Sequence, residues 1–145
     1  MGNYVLPWQA WALLSAAFAA LTAILAKVGV ENVNSDFATL VRTCVIVVLL
    51  GGILWATGNW QPPATVPGRT WVFLFLSGLA TGASWLCYFR ALKLGEASQV
   101  APIDKLSVVL VAIFAVSFLG EKLTLPNWLG ICLIALGAVL VAYKG

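Results

Sequence analysis

Asp104 and Lys105 sit where a chain this apolar does not easily hold charge, in the first third of ASQVAPIDKLSVVLVAIFAVSFLGEK, residues 97–122. Within residues 100–119, twelve Leu, Ile, Val or Phe side chains contribute roughly −5 kcal/mol towards bilayer insertion, at about −0.3 to −0.6 kcal/mol each. Two charges at the helix centre would cost about +5 to +7 kcal/mol on the same scale and cancel that gain. The pair is tolerated only off-centre, against protein partners, or facing water inside the protein. Neighbours in a helix point about 100° apart, so the two are not expected to satisfy each other, and each needs a partner on another element. A deep carboxylate of this kind suits proton coupling, and a deep cation suits holding the charge of a solute.

Other ionisable groups gather at a similar depth. Lys27, Arg42, Arg90, Asp104 and Lys105 come from four apolar segments and fall within a turn or two of one membrane face. Four cations around one carboxylate repel unless water, backbone carbonyls or an anion share the space. This predicts a cationic vestibule with Asp104 as its fixed counter-ion, open to an anionic or zwitterionic solute. The alternative has Lys27, Arg42 and Arg90 reaching to lipid headgroups, with Asp104 paired to one of them. Trp85, close to Ser84 and Tyr88 in the third segment, is read either as an aromatic cavity wall or as packing. Glu31, Asp36, Glu96 and Glu121 are expected to be solvated loop charges.

The elements that must position these groups are membrane spans. Of 145 residues, 62% are hydrophobic and 9% charged, against roughly 25% charged in soluble domains, and the mean hydropathy is +1.01. Five apolar runs, near residues 8–29, 37–57, 71–90, 98–119 and 126–143, reach the length of about 20 residues that a span needs. The expected fold is all-α and polytopic, a single module of five transmembrane helices over residues 1–145. The first run lacks a basic n-region and is longer than a secretory h-region, so it is expected to be a retained span.

Local signals fill in the helices. Ala12, Ala16, Ala19, Ala20 and Ala23 form a small-residue stripe on the first span, of the kind that lets helices approach closely in lipid. Ser35 or Asp36 is the expected N-cap of the second span. NWQPPATVPGR, with three prolines, reads as a stiff connector. Gly78-x-x-x-Gly82 in the third span is a close-packing motif, read as a contact within the chain in preference to a dimer seam. Ser98 is a possible cap for the fourth span, and Pro102 predicts a kink or an irregular start there. Pro126 fits the first position of the fifth span. Gly130 and Gly137 lie seven residues apart on nearly one face, a packing face that could lie between subunits.

Charge asymmetry gives an orientation. Lys27, Arg42, Arg90, Lys93 and Lys144 lie near one side, Arg69 and Lys122 near the other, so the N-terminus is expected outside and the C-terminus in the cytoplasm. Trp8, Trp11, Trp55, Trp60, Trp71 and Trp128 fall near the opposite side, as an interfacial belt would. Cys44, Cys87 and Cys132 lie in apolar runs without metal-ligand spacing, and the chain has no histidine. No metal, cofactor, nucleic-acid partner or enzymatic chemistry is expected.

With these residues in place, the chain resembles the EamA type of the drug/metabolite transporter superfamily over nearly its whole length. The resemblance is carried by YFRALKLGEASQVAPIDKLSVVLVAIFAVSFLGEKLTLPNWLGICLIALGAVLVAY, residues 88–143: Ala91-Leu92 before the loop, Pro102 early in the fourth helix, Gly120-Glu121, then Gly130 and Gly137. It implies one five-helix half of a ten-helix transporter whose halves have inverted topology and enclose a central cavity, with the fifth helices packed between halves. A homodimer, or a pair with a related half, in a bacterial-type inner membrane is the implied working unit. The first span has no carboxylate where the related small multidrug resistance pumps place one, so proton-driven export of aromatic cations is not implied. The Lys/Arg bias argues against an even mixture of orientations, leaving parallel and antiparallel pairing both open.

The expected function is secondary transport of a small polar metabolite by rocking of two modules around a midplane cavity. Arg42, Ser84, Trp85, Tyr88, Asp104 and Lys105 are the candidate cavity residues, and the lipid bilayer and a small solute are the expected partners. A non-transporting membrane subunit and a subunit that flips a lipid-linked anionic head group are the alternatives.

Overall fold

Capping residues and prolines set the ends of the helices. In the computed structural model, which describes residues 7–143, the regular elements are all helical. They are α1 (Trp8–Gly29), α2 (Ser35–Thr57), a short 3-10 turn (Pro63–Thr65), α3 (Gly68–Leu94), α4 (Ala97–Asp104), α5 (Ser107–Phe118) and α6 (Leu125–Ala142). Five segments are long and apolar enough to cross a membrane: α1, α2, α3, α4 with α5 taken together, and α6. The five expected spans and the all-α, polytopic class are therefore present. Lys144 and the residues before Pro7 lie outside the described residues.

The N-cap of α2 is Asn34, not Ser35 or Asp36. Its extended backbone (φ −63°, ψ 130°) lets Oδ1 accept from the N–H groups of Asp36 (2.8 Å) and Phe37 (3.2 Å). Asn caps as well as Asp or Ser, and its use here leaves the Asp36 carboxylate free for another partner. At the far end Gly58 takes φ 66°, a left-handed conformation open to glycine, and its N–H meets the carbonyls of Leu54 and Trp55. The expected stiff connector holds a 3-10 turn at Pro63–Thr65. The α3 helix starts earlier than the apolar run, because the Pro67 carbonyl accepts from Thr70 (2.9 Å) and Trp71 (3.2 Å) and so begins the first turn.

The fourth span is broken, though not at the expected place. Pro102 lies inside α4 and Glu96, not Ser98, holds the N-cap position. The irregularity comes just after the proline. Lys105 N–H is shared between the carbonyls of Ala101 (3.3 Å) and Pro102 (3.1 Å), and Leu106, Val108 and Val109 each bond three residues back at 3.0 Å. This is a tightened 3-10 turn between α4 and α5. Pro102 supplies no N–H to its own turn, and the helix resets within the next turn. Gly120 (φ 69°) turns the chain towards α6, which opens with Pro126 in its first turn, as its missing N–H allows.

The chain divides into two compact units. One holds α1 up to Val28 and the chain from Leu94 onward; the other is Gly29–Lys93. In the first unit, α6 packs against α4 and, over fewer residues, α5. Its buried residues are alanines: Ala23 and Ala26 of α1, Ala112 and Ala115 of α5, and Ala138 of α6. Small side chains let helix axes approach closely where no hydrophobic drive separates protein from lipid. Of the predicted alanine stripe only Ala23 is covered, while Ala12, Ala16, Ala19 and Ala20 are exposed. Lys27 Nζ donates to the Gly95 carbonyl at 2.8 Å, so this lysine closes a loop of its own unit.

In the second unit the buried residues are Val30, Ser35, Thr39, Phe89 and Leu92, all at the end where α2 begins and α3 finishes. Thr39 Oγ1 donates to the Ser35 carbonyl and Thr43 Oγ1 to the Thr39 carbonyl, each at 2.8 Å, which satisfies both hydroxyls within the helix. Lys93 Nζ donates to the Val33 carbonyl at 2.7 Å. The preferred reading of Gly78-x-x-x-Gly82 as a close contact within the chain is not met. A Cβ at either glycine would have nothing within 4 Å, and the same holds for Gly130 and Gly137 of α6.

Candidate functional site

Of the predicted gathering of cations, Arg42 and Arg90 belong to one unit and Lys27, Asp104 and Lys105 to the other, and Arg42 has no counter-ion among the described residues. Asp36, expected to be a solvated loop charge, lies in the first turn of α2 and takes Arg90 of α3. Arg90 Nε donates to Oδ1 at 3.0 Å and Nη2 to Oδ2 at 2.8 Å, a bidentate pair. The carboxylate that neutralises Arg90 is therefore Asp36, where the sequence alone offers Asp104. Asp104 meets Lys105 instead, with Nζ 3.4 Å from Oδ2. The expectation that these neighbours could not pair assumed an unbroken helix. The tightened turn at 105–106 removes that constraint, and both side chains remain substantially exposed.

Arg42 is different. It lies seven residues inside α2 from Ser35, about 10 Å along the axis at 1.5 Å per residue. Its guanidinium carbon stands 4.2 Å from the centroid of Trp85 and 5.5 Å from that of Phe89, both on α3. Tyr88 is within electrostatic reach, and its ring meets Phe89 edge-on at 6.5 Å between centroids. Among the described residues Arg42 makes no hydrogen bond and no ion pair. A cation over an indole face gains about 2 kcal/mol where water is excluded, which offsets much of the roughly 2.5–3.5 kcal/mol cost of an arginine in a span. The guanidinium's edge of N–H donors is unspent in any hydrogen bond among the described residues. Such an edge accepts a carboxylate or phosphate in bidentate fashion.

Trp85 and Phe89 reach Arg42 together because they are one turn apart on α3. Arg42, Trp85 and Tyr88 are thus brought together from the sequence candidates, and Phe89 joins them. An aromatic four residues after Trp85 was the signal available for it. Ser84 is exposed and lies roughly 100° round the helix from Trp85. Asp104 and Lys105 belong to the other unit.

Five helices long and apolar enough to cross a membrane define an integral membrane protein. The chain belongs to the EamA-like transporter family, whose model matches residues 6–143. It is 70% identical over 135 residues to an "Uncharacterized transporter in cobO 3'region" of Sinorhizobium sp, covering 93% of this chain and 96% of that one. It is also 32% identical over 83 residues to the "Probable 4-amino-4-deoxy-L-arabinose-phosphoundecaprenol flippase subunit ArnE" of Yersinia pestis (strain Pestoides F), across 57% of this chain and 73% of the relative. The protein of the same description from Yersinia pseudotuberculosis serotype O:3 (strain YPIII) matches equally. No solved structure matches the chain.

Proposed function

We propose that this protein is one half of a secondary transporter for a small polar solute bearing negative charge. It works in the cytoplasmic membrane as a pair of five-helix modules that rock between two openings. The observation that carries this reading is Arg42, a cation two turns inside a span, set against Trp85 and Phe89 and without an ion pair among the described residues. A membrane protein tolerates such a group where it serves a pathway. The carboxylate that couples to protons is Asp104, and Lys105 is its partner. The N-terminus lies outside and the C-terminus in the cytoplasm.

The open face of α6 bearing Gly130 and Gly137 is where a second module, either another copy or a related half, would pack. A second reading, that the pair flips a lipid-linked head group, is favoured by the similarity to ArnE.

Cysteine crosslinking in native membranes tests the pairing. With the native cysteines replaced by alanine, Gly137→Cys is expected to give a disulfide-linked dimer or a heavier adduct on mild oxidation. Cys132 kept alone, on the opposite side of α6, is not. Monomer alone at position 137 would overturn the paired-module reading.

A further inference from the structure

One face of α3 continues beyond the Arg42 stack. Trp71, Phe75, Gly78, Gly82, Trp85 and Phe89 follow steps of four and three residues, which at roughly 100° per residue keeps them within about 40° of one line. From Trp71 to Phe89 the face rises 18 residue steps, about 27 Å at 1.5 Å per step, close to the hydrocarbon thickness of about 30 Å. At the Trp71 end it carries an open groove of about 370 Å³, lined by Trp71, Leu74, Phe75, Gly78 and Leu79. Its walls are apolar, and at Gly78 and Gly82 the face is notched, with nothing within 4 Å of where a Cβ would stand. The far end holds the guanidinium of Arg42 over Trp85.

We propose that the groove, the glycine notch and the Arg42–Trp85 stack form one binding site for an amphiphile, a phosphate-class oxyanion on a hydrocarbon tail. The oxyanion takes the free N–H edge of Arg42, and the tail lies along α3 through the notch to the groove. This rests on the second reading above, a lipid-linked head group, and deepens it by naming the residues that take the charge and the tail. Charge complementarity decides between this occupant and a helix from a second copy, which a glycine notch also fits. A second copy would have to supply a carboxylate to Arg42, and the spans have none to spare. The helices α1, α3, α5 and α6 carry no carboxylate, Asp36 is held by Arg90 on both oxygens, and Asp104, at the end of α4, brings the Lys105 cation beside it, while Glu31, Glu96 and Glu121 lie outside the helices. An anionic lipid brings the missing charge with it.

The test uses the purified full chain in phosphatidylcholine nanodiscs, with phosphatidic acid as the lipid probe and inorganic phosphate as the soluble one, read by native mass spectrometry. The expected result is at least tenfold retention of phosphatidic acid over phosphatidylcholine. Arg42→Gln and Gly78→Leu should each reduce it about tenfold, Arg69→Gln should leave it unchanged, and millimolar inorganic phosphate should not compete. Gly78→Ala, whose Cβ meets no neighbour, should give a smaller loss in a protein of unaltered thermal stability. Equal binding by wild type and Arg42→Gln would overturn the proposal. So would competition by inorganic phosphate at matched concentration, which would leave transport of a soluble anion standing. A change of oligomeric state in Gly78→Leu with lipid binding intact would assign the groove to a second copy and overturn it as well.

Discussion

Arg42→Leu is expected to raise thermal stability while removing affinity for anions. Substitution gives up a cation–π stack of about 0.5–2 kcal/mol. It also relieves the roughly 2.5–3.5 kcal/mol cost of arginine in a span and adds a leucine contribution of about 0.5 kcal/mol. The balance is stabilising by about 1 kcal/mol or more, or roughly 2–4 °C in melting temperature for a chain of this size. Function moves the other way. Hydrogen bonds to a charged group contribute about 1.5–3 kcal/mol, so losing the guanidinium edge weakens anion binding by at least roughly tenfold. Thermal denaturation in detergent and anion binding on the same preparation check both signs. A variant that melts lower yet binds as before would mean that Arg42 is a structural residue.

Asp104→Asn is expected to leave the fold intact and to abolish uptake driven by a pH gradient. The Asp104–Lys105 contact is long, at 3.4 Å, and exposed, and surface pairs of this kind contribute about 0–1 kcal/mol. Its loss should therefore be small in stability. For coupling, a carboxylate must be able to take up a proton and release its partner. Asp36 is tied on both oxygens to Arg90, whereas Asp104 sits loosely at the break between α4 and α5. In proteoliposomes, gradient-driven accumulation of whichever solute the wild type takes up should fall to background, and solute exchange without a gradient should persist. Accumulation at the wild-type rate would remove Asp104 from the mechanism.

The five spans were legible because length and continuous hydropathy report on lipid contact, and neither depends on how helices pack. Local chemistry was legible less evenly. Pro126 at the start of α6 acts through its own backbone, so the sequence places it. Asn34 was overlooked because Ser35 and Asp36 cap equally well, and only the backbone angles choose among the three.

The charge pairs were the hard part. Arg90 and Asp36 are 54 residues apart, and a partner at that distance is set by how α2 meets α3, which hydropathy does not encode. Arg42 and Trp85 each stood out in the sequence, one for depth and one for leaving the interfacial belt, yet nothing in their spacing joins them. The Asp104–Lys105 contact was misjudged for a different reason. The helix rule that forbids it is sound, and the helix is broken where they stand.

Arginine side-chain NMR tests the central claim most directly. The chain has three arginines, Arg42, Arg69 and Arg90, so Nε-labelled arginine gives three Nε–H resonances, assignable by single Arg→Lys substitutions. Titration with dodecyl phosphate should move the Arg42 resonance saturably and leave Arg90, already bound to Asp36, where it was. An Arg42 signal that does not respond, or one that shifts no more than Arg69 and Arg90, would contradict the account.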